Sequence, residues 1–343
     1  MPSPDLLTLT ERGLYCPAAD VYIDPWRAVD RAIITHAHSD HARWGSRHYL
    51  CAAPGVEVLR LRLAGANVHG IDYGEVATVN GVRITLHPAG HILGSAQVRL
   101  EHRGEVAVVS GDYKTAPDTT CATFEPVPCH TFVTESTFGL PIYRWRPDAE
   151  IFAEINDWWA ENQRLGVASL LMGYALGKAQ RALSGLNPEL GPIVLHGSMT
   201  SLTEAYRHAG IALPPTRTVS EMPRDTDWSQ VLILAPPSAQ GTPWTRRFGD
   251  HRTAFMSGWM AIRGTRRRRA IDRGFVLSDH VDWPSLMTAI DATGAETVWV
   301  THGYSNVVVR HLRDQGRDAH VLETQFEGES GQDDPEASEA VSE

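Results

Sequence analysis

The sequence predicts an α/β protein, in which one domain is interrupted by an α/β insertion and completed after it. Three observations support this. Short β-branched or apolar runs recur through the first 146 residues, and each ends in a polar residue able to carry chemistry. Beyond Pro147 the pattern becomes strand-like runs alternating with amphipathic helices. After an arginine-rich stretch the early style returns.

The elements follow in chain order. RAIITHAH, VRITLHPAGH, EVAVVSGD and CHTFVTES read as strands that deliver a polar side chain at their C-terminal end. Residues 148–164 read as a helix, with Ile151, Ile155, Trp158 and Trp159 at helical spacing, Asp148 as N-cap and both tryptophans in the core. ASLLMGY then leads into the helix GKAQRALSGL, PIVLHGS into SLTEAYRHAG, and VLILAPPS follows. GFVLSDHVDW, a helix near Pro284–Ala292 and TVWVTHGYS restore the first pattern. The expected spans are 1–146 and 263–326 for the interrupted domain, 147–262 for the insertion, and 327–343 for a disordered acidic tail.

Composition narrows the class. A chain of 343 residues suits one large domain with an insertion, and a core of that size needs no disulfide staples. Cys16, Cys51, Cys121 and Cys129 form no CxxC pair and read as reduced thiols. The first residues lack the charged and apolar regions of a signal peptide, and no apolar run approaches the roughly 18 residues of a membrane span. A cytoplasmic protein with no membrane partner is expected.

The net charge of −10 is unevenly spread. Eight acids and no Lys or Arg follow Asp318, whereas residues 246–273 hold nine arginines against Asp250 and Asp272. Local fields of that kind, more than the total, govern association with a polyanion. Lys114 and Lys178 are the only lysines, so arginine richness is also a habit of this composition.

The strongest motif is Thr35-His36-Ala37-His38-Ser39-Asp40-His41. In an extended segment His36 and His38 face the same side, so they can share one cation, and Asp40 and His41 follow in position to serve a second. Imidazole and carboxylate suit zinc, and also manganese or iron. Two cations about 3.5–4 Å apart need a bridging ligand and more than one chain segment. His91 in HPAGHILGS, Asp112 in VVSGDYK and His302 in WVTHGYS are the candidates, with Asp112 as a possible bridge. Asp24 could accept a hydrogen bond from a ligating imidazole. His48, His69, His102, His130 and His311 lack such a context and read as surface or core residues.

THAHSDH, AGHILGS and SGDY resemble successive motifs of the metallo-β-lactamase fold. TESTFG, LSDH and VTHG, which contain Glu135, His280 and His302, resemble the three further motifs of its β-CASP nuclease branch. Ala175–Leu183 and Ser257–Met260 also resemble that branch. The match covers roughly residues 10–325 and is strongest to the bacterial ligase-associated DNA damage response exonucleases. The resemblance implies an αββα sandwich with an inserted α/β, β-CASP-like domain. It implies two Zn²⁺ ions, one on His36, His38 and His91, the other on Asp40, His41 and His302, with Asp112 between them. It also implies Glu135 and His280 as an acid pair near the leaving group.

The implied activity is phosphodiester hydrolysis in nucleic acid, by a DNA exonuclease of repair. A hydroxide bridging the cations near Asp112 would attack in line, and His280, oriented by Glu135, would protonate the departing ribose oxygen. Lys178, Ser257 and Arg263 are the candidate contacts to the phosphate chain, arginine being suited to bidentate phosphate binding. The resemblance also suggests a functional link to a DNA ligase and a helicase. His302 is a feature shared with the RNA-processing branch, so an RNA-processing ribonuclease is the alternative. A small-molecule hydrolase acting on a thioester or lactam would not need the Glu135–His280 acid. A non-catalytic scaffold would be expected to lose ligands, and this chain retains every ligand position.

Overall fold

The computed structural model describes residues 6–262 and 271–324. They divide into two compact units, 6–144 with 280–324, and 145–279.

In the first unit, β1 (Thr8–Thr10), β2 (Gly13–Cys16), β3 (Val21–Ile23), β4 (Arg31–Ile33), β5 (His48–Ala52) and β6 (Val68–Ile71) form a six-stranded sheet in chain order. Helix α1 (Val56–Arg62) links β5 to β6. A second sheet holds β7 (Val76–Val79), β8 (Val82–Pro88), β9 (Ala96–His102), β10 (Glu105–Val109) and β11 (Thr131–Glu135). Alternation along β10 shows how it is used. Ala107 and Val109 join the core that also holds Ile23, Ile33 and Ala52 of the first sheet, so the two sheets pack face to face. Val108 and Phe132 point the other way, into a core with Leu286, Ile290, Val308 and Leu312.

The second unit is a six-stranded, all-parallel sheet. It begins with α2 (Asp148–Leu165), β12 (Ala168–Met172), α3 (Lys178–Gly185), β13 (Ile193–Leu195) and α4 (Gly197–His208). It continues with β14 (Arg217–Thr218), β15 (Leu232–Ala235), β16 (His251–Met256) and β17 (Arg273–Phe275), in spatial order β14-β13-β15-β12-β16-β17. Both faces of β12 and β15 are buried, which accounts for their unbroken apolar runs. Trp158 and Trp159 lie in this core, as their spacing predicts.

The chain then returns to the first unit through α5 (Trp283–Thr293), β18 (Thr297–Thr301), α6 (Ser305–Asp314) and β19 (Asp318–Val321). Asp282 caps α5 by accepting the Ser285 N–H at 3.1 Å. The strands β18 and β19 extend the second sheet beyond β11.

Two expectations are corrected. Asp148 is the first residue of α2 rather than its N-cap, a position held by Pro147. Its carboxylate takes Arg181 Nε at 3.1 Å instead. The return to the first unit comes at residue 280, not 263, because Arg273–Phe275 pairs in parallel with β16 and Phe275 packs edge-on against Trp158. The expected tail, 327–343, lies outside the described residues.

Candidate metal centre

The site in the first unit starts from Asp24, which follows β3 in a left-handed conformation (φ 43°). Its buried carboxylate organises the HxHxDH segment. Thr35 N–H donates to Oδ1 at 2.8 Å and the Thr35 hydroxyl to Oδ2 at 2.6 Å. His41 Nδ1 stands 2.7 Å from the same Oδ2. With a carboxylate there His41 carries a hydrogen on Nδ1, so Nε2 is the atom that would ligate a cation on giving up its own hydrogen.

His91 arrives on the loop between β8 and β9, where its N–H and that of Ile92 both donate to Ser95 Oγ, at 3.0 and 3.2 Å. Asp112 follows β10 and Gly111. A Cβ on Gly111 would lie 2.6 Å from the Thr35 side chain, and its φ is +58°, so a side chain is excluded by both space and conformation. His302 ends β18 with φ 59°. Its carbonyl accepts hydrogen bonds from Ser136 Oγ and, at 2.9 Å, from Ser305 Oγ.

These segments bring the histidines and acids together. His36, His38, His91 and Asp112 can each place one donor atom within 4.8 Å of the others, and so can Asp40, His41 and His302. Asp112 links the two groups: its Oδ2 is 3.5 Å from His36 Nε2 and 3.5 Å from His41 Nε2, and 4.0 Å from His91 Nε2. His91 Nε2 lies 3.1 Å from His38 Nδ1.

The electrostatics fit a cation-binding cluster. Burial drives the imidazole of His36 well below its usual range, and the neighbouring His41 adds to the effect. For His41 burial also opposes charge, but Asp40, Asp112 and Asp24 outweigh it and hold the imidazolium well above the usual range. For Asp112 burial opposes ionisation, yet His41 holds the carboxyl well below its usual range. Burial likewise lowers His302. His36 Nε2 and Asp112 Oδ1 are buried without a hydrogen-bond partner. Buried carboxylates and lone pairs left in that state are costly, and divalent cations satisfy both. The residues therefore fit bound metal, and imidazole with carboxylate is a donor set that zinc accepts.

The second pair lies alongside. Glu135 ends β11, and His280 Nδ1 is 3.0 and 2.9 Å from its two oxygens. The Tyr113 N–H donates to Glu135 Oε1 at 2.8 Å and fixes the carboxylate. The His280 ring centroid is 4.7 Å from that of His91. Asp112, Glu135 and His280 also bring donor atoms within 4.8 Å of one another, so His280 lies within reach of a cation as well.

The phosphate contacts expected from the insertion are not presented by the described residues. Lys178 is fully buried with its Nζ 2.8 Å from Asp279 Oδ1. Ser257 is buried, and its Oγ accepts the Trp259 N–H at 3.2 Å. Both act within the second unit, because an ammonium or hydroxyl sealed from solvent cannot track a phosphate chain. Arg263 lies outside the described residues. Ser95, Ser136 and Tyr113 were missed as positioning groups. The first lies four residues after His91 in the quoted motif and offered a signal, whereas the other two act through segments remote in sequence.

No protein-family model matches the chain. It is 32% identical over 316 residues to a probable DNA ligase of Opitutus terrae, covering 90% of this chain and 30% of that protein. It is 31% identical over 121 residues to the endoribonuclease ysh-1 of Neurospora crassa, covering 34% and 14%. It is 27% identical over 211 residues to cleavage and polyadenylation specificity factor 73 of Drosophila melanogaster, covering 56% and 30%. The chain thus spans less than a third of the length of each of these relatives. A protein of unknown function from Enterococcus faecalis V583 shares the fold, with a TM-score of 0.55 at 12% identity over 86% of this chain and 80% of that one. Its likeness to the probable DNA ligase, the endoribonuclease and the cleavage and polyadenylation factor fits the metallo-β-lactamase β-CASP family.

Proposed function

We propose that the protein is a two-metal hydrolase that cleaves phosphodiester bonds in nucleic acid, as a DNA exonuclease of repair on an αββα scaffold with a β-CASP-like insertion. The observation that carries this reading is Asp112 Oδ2 standing 3.5 Å from both His36 Nε2 and His41 Nε2, with the Glu135–His280 pair beside it. His36, His38, His91 and Asp112 would hold one cation, and Asp40, His41 and His302 the other, with Asp112 shared. Zinc suits the donors, and manganese is the second choice.

When bound, such cations supply Lewis acidity, drawing charge from a phosphoryl oxygen and making water at the site more acidic. The protein's own groups do the rest. Asp24 keeps His41 Nε2 available as a ligand atom. Glu135 accepts the hydrogen bond of His280 Nδ1–H and supports the imidazolium form, so a proton is held at Nε2 for the departing oxygen. Tyr113 holds Glu135 in that orientation.

The name and extent of the Opitutus relative support the choice of DNA and a functional link to a DNA ligase, with a helicase by family likeness. RNA cleavage is the second reading, favoured by the Neurospora relative named an endoribonuclease and by His302. A cytoplasmic location fits the free thiols of Cys16, Cys51 and Cys129, and no helix among the described residues is long and apolar enough to cross a membrane.

The deciding experiment strips metal with chelator, restores Zn²⁺ or Mn²⁺, and offers end-labelled single- and double-stranded DNA and RNA beside an Asp40→Ala/His41→Ala control. Metal-dependent laddering of DNA, lost in the control, is expected. Cleavage of RNA alone would replace the DNA reading with the second, and inertness toward all four substrates would end both. His280→Ala is expected to keep both metals and lose turnover, and loss of metal from that variant would make His280 a ligand.

A further inference from the structure

Three residues after His41 the chain exposes Trp44, 72% accessible. Its Cα lies no more than about 11 Å from that of His41, since each residue spans at most ~3.6 Å. The loop that presents it is held from beneath. The hydroxyl of buried Tyr49 donates to the Arg43 carbonyl at 2.9 Å and accepts the Ser46 N–H at 2.7 Å. Ser46 Oγ in turn accepts the Val29 N–H at 3.2 Å, so the 27–30 segment is tied to the same loop. A loop fixed on both sides of Trp44 denies the indole a route into the core. Folding leaves a large apolar face in water on a loop that starts within about 11 Å of a candidate metal ligand.

Two of the neighbouring charges are positive and unmatched, whereas Arg47 of the same loop pairs with Asp30 at 3.8 Å. Half-buried Arg43 and exposed Arg27 have no carboxylate partner among the described residues. An exposed indole beside unpaired guanidinium groups is the pairing that single-stranded nucleic acid selects, bases on the ring and phosphates on the cations.

We propose that Trp44 is a stacking platform for an unstacked base of the substrate strand next to the scissile phosphate, with Arg43 and Arg27 as its phosphate contacts. This deepens the nuclease reading and rests on it. A strand rises about 3.4 Å per nucleotide in duplex form, so the reach from His41 covers the few nucleotides flanking the cut.

The test compares the zinc-loaded protein with Trp44→Ala, Trp44→Phe and Arg43→Gln on two single-stranded oligonucleotides. One is ordinary, and the other is abasic at the nucleotides flanking the cleavage point. Trp44→Ala is expected to raise KM on the ordinary strand by roughly 5- to 150-fold, the range that base stacking supplies, with kcat nearly unchanged. Trp44→Phe restores most of this, and the abasic strand shows no difference between wild type and Trp44→Ala. Arg43→Gln raises KM on both strands and flattens the salt dependence. Because Trp44 is exposed, its variants are expected to melt with the wild type. A wild-type enzyme that cleaves while Trp44→Ala matches it in KM overturns the platform and leaves the nuclease reading intact. A loss in Trp44→Ala that is equal on the abasic strand also overturns it. A wild type inert on both strands overturns the two together.

Discussion

Replacing Asp24 by Asn tests how the site is assembled without removing any candidate ligand. Asn is close in shape and tolerates the left-handed backbone found here, φ 43°. Its amide, however, can present only one oxygen. If the NH₂ takes the place of Oδ1 it meets the Thr35 N–H, a donor that cannot rotate away, at a position where the oxygen now sits at 2.8 Å. The amide therefore turns its NH₂ to the Oδ2 position, facing His41 Nδ1, now 2.7 Å away. His41 must then accept at Nδ1 and carry its hydrogen on Nε2, the atom that lies 3.5 Å from Asp112 Oδ2 and 3.6 Å from Asp40 Oδ2. A protonated Nε2 cannot ligate. Loss of such a supporting hydrogen bond lowers metal affinity by about 10–100-fold, or roughly 1.4–2.8 kcal/mol. Competition with a chromophoric chelator, together with the zinc-to-protein ratio, measures it. Full zinc content at unchanged affinity in Asp24→Asn would refute the tautomer argument, and with it the role assigned to Asp24.

Other outcomes follow from the same geometry. Glu135→Gln removes the charge that supports the imidazolium of His280, so turnover is expected to fall by about 10²–10⁴-fold with metal content retained. Steady-state cleavage and metal analysis of that variant check this. Gly111→Ala forces a Cβ to 2.6 Å from Thr35 at φ +58° and should cost at least about 1–3 kcal/mol, read as a lower melting temperature. Burial pushes the thiols of Cys51 and Cys129 up to about 12, so neither should react with a thiol-alkylating reagent at neutral pH unless the protein is unfolded. Because the unfolded thiols ionise near 8.5, the unfolded state binds fewer protons above that pH. This contribution to stability is present below about 8.5 and is lost as pH rises toward 12, which alkaline melting curves will show.

Several features were legible from sequence because they are local. The short apolar run in EVAVVSGD and the helical spacing of Ile151, Ile155, Trp158 and Trp159 depend only on near neighbours, and β10 and α2 follow them. The ligand-type residues stood out because His36, His38, Asp40 and His41 crowd into six positions, while His91, Asp112 and His302 each stand at the end of an apolar run. Tertiary structure decided what depends on segments far apart in the chain. Ser136 grips the His302 carbonyl across 166 residues, and Asp24 reaches across 17 residues to His41. Lys178, read as a phosphate contact, is buried against Asp279, because parallel pairing carries residues 273–275 into the second unit's sheet. No local pattern encodes which distant carboxylate will neutralise a lysine, or which strand edge will accept the next strand. Those choices are made by the burial and pairing of the whole fold.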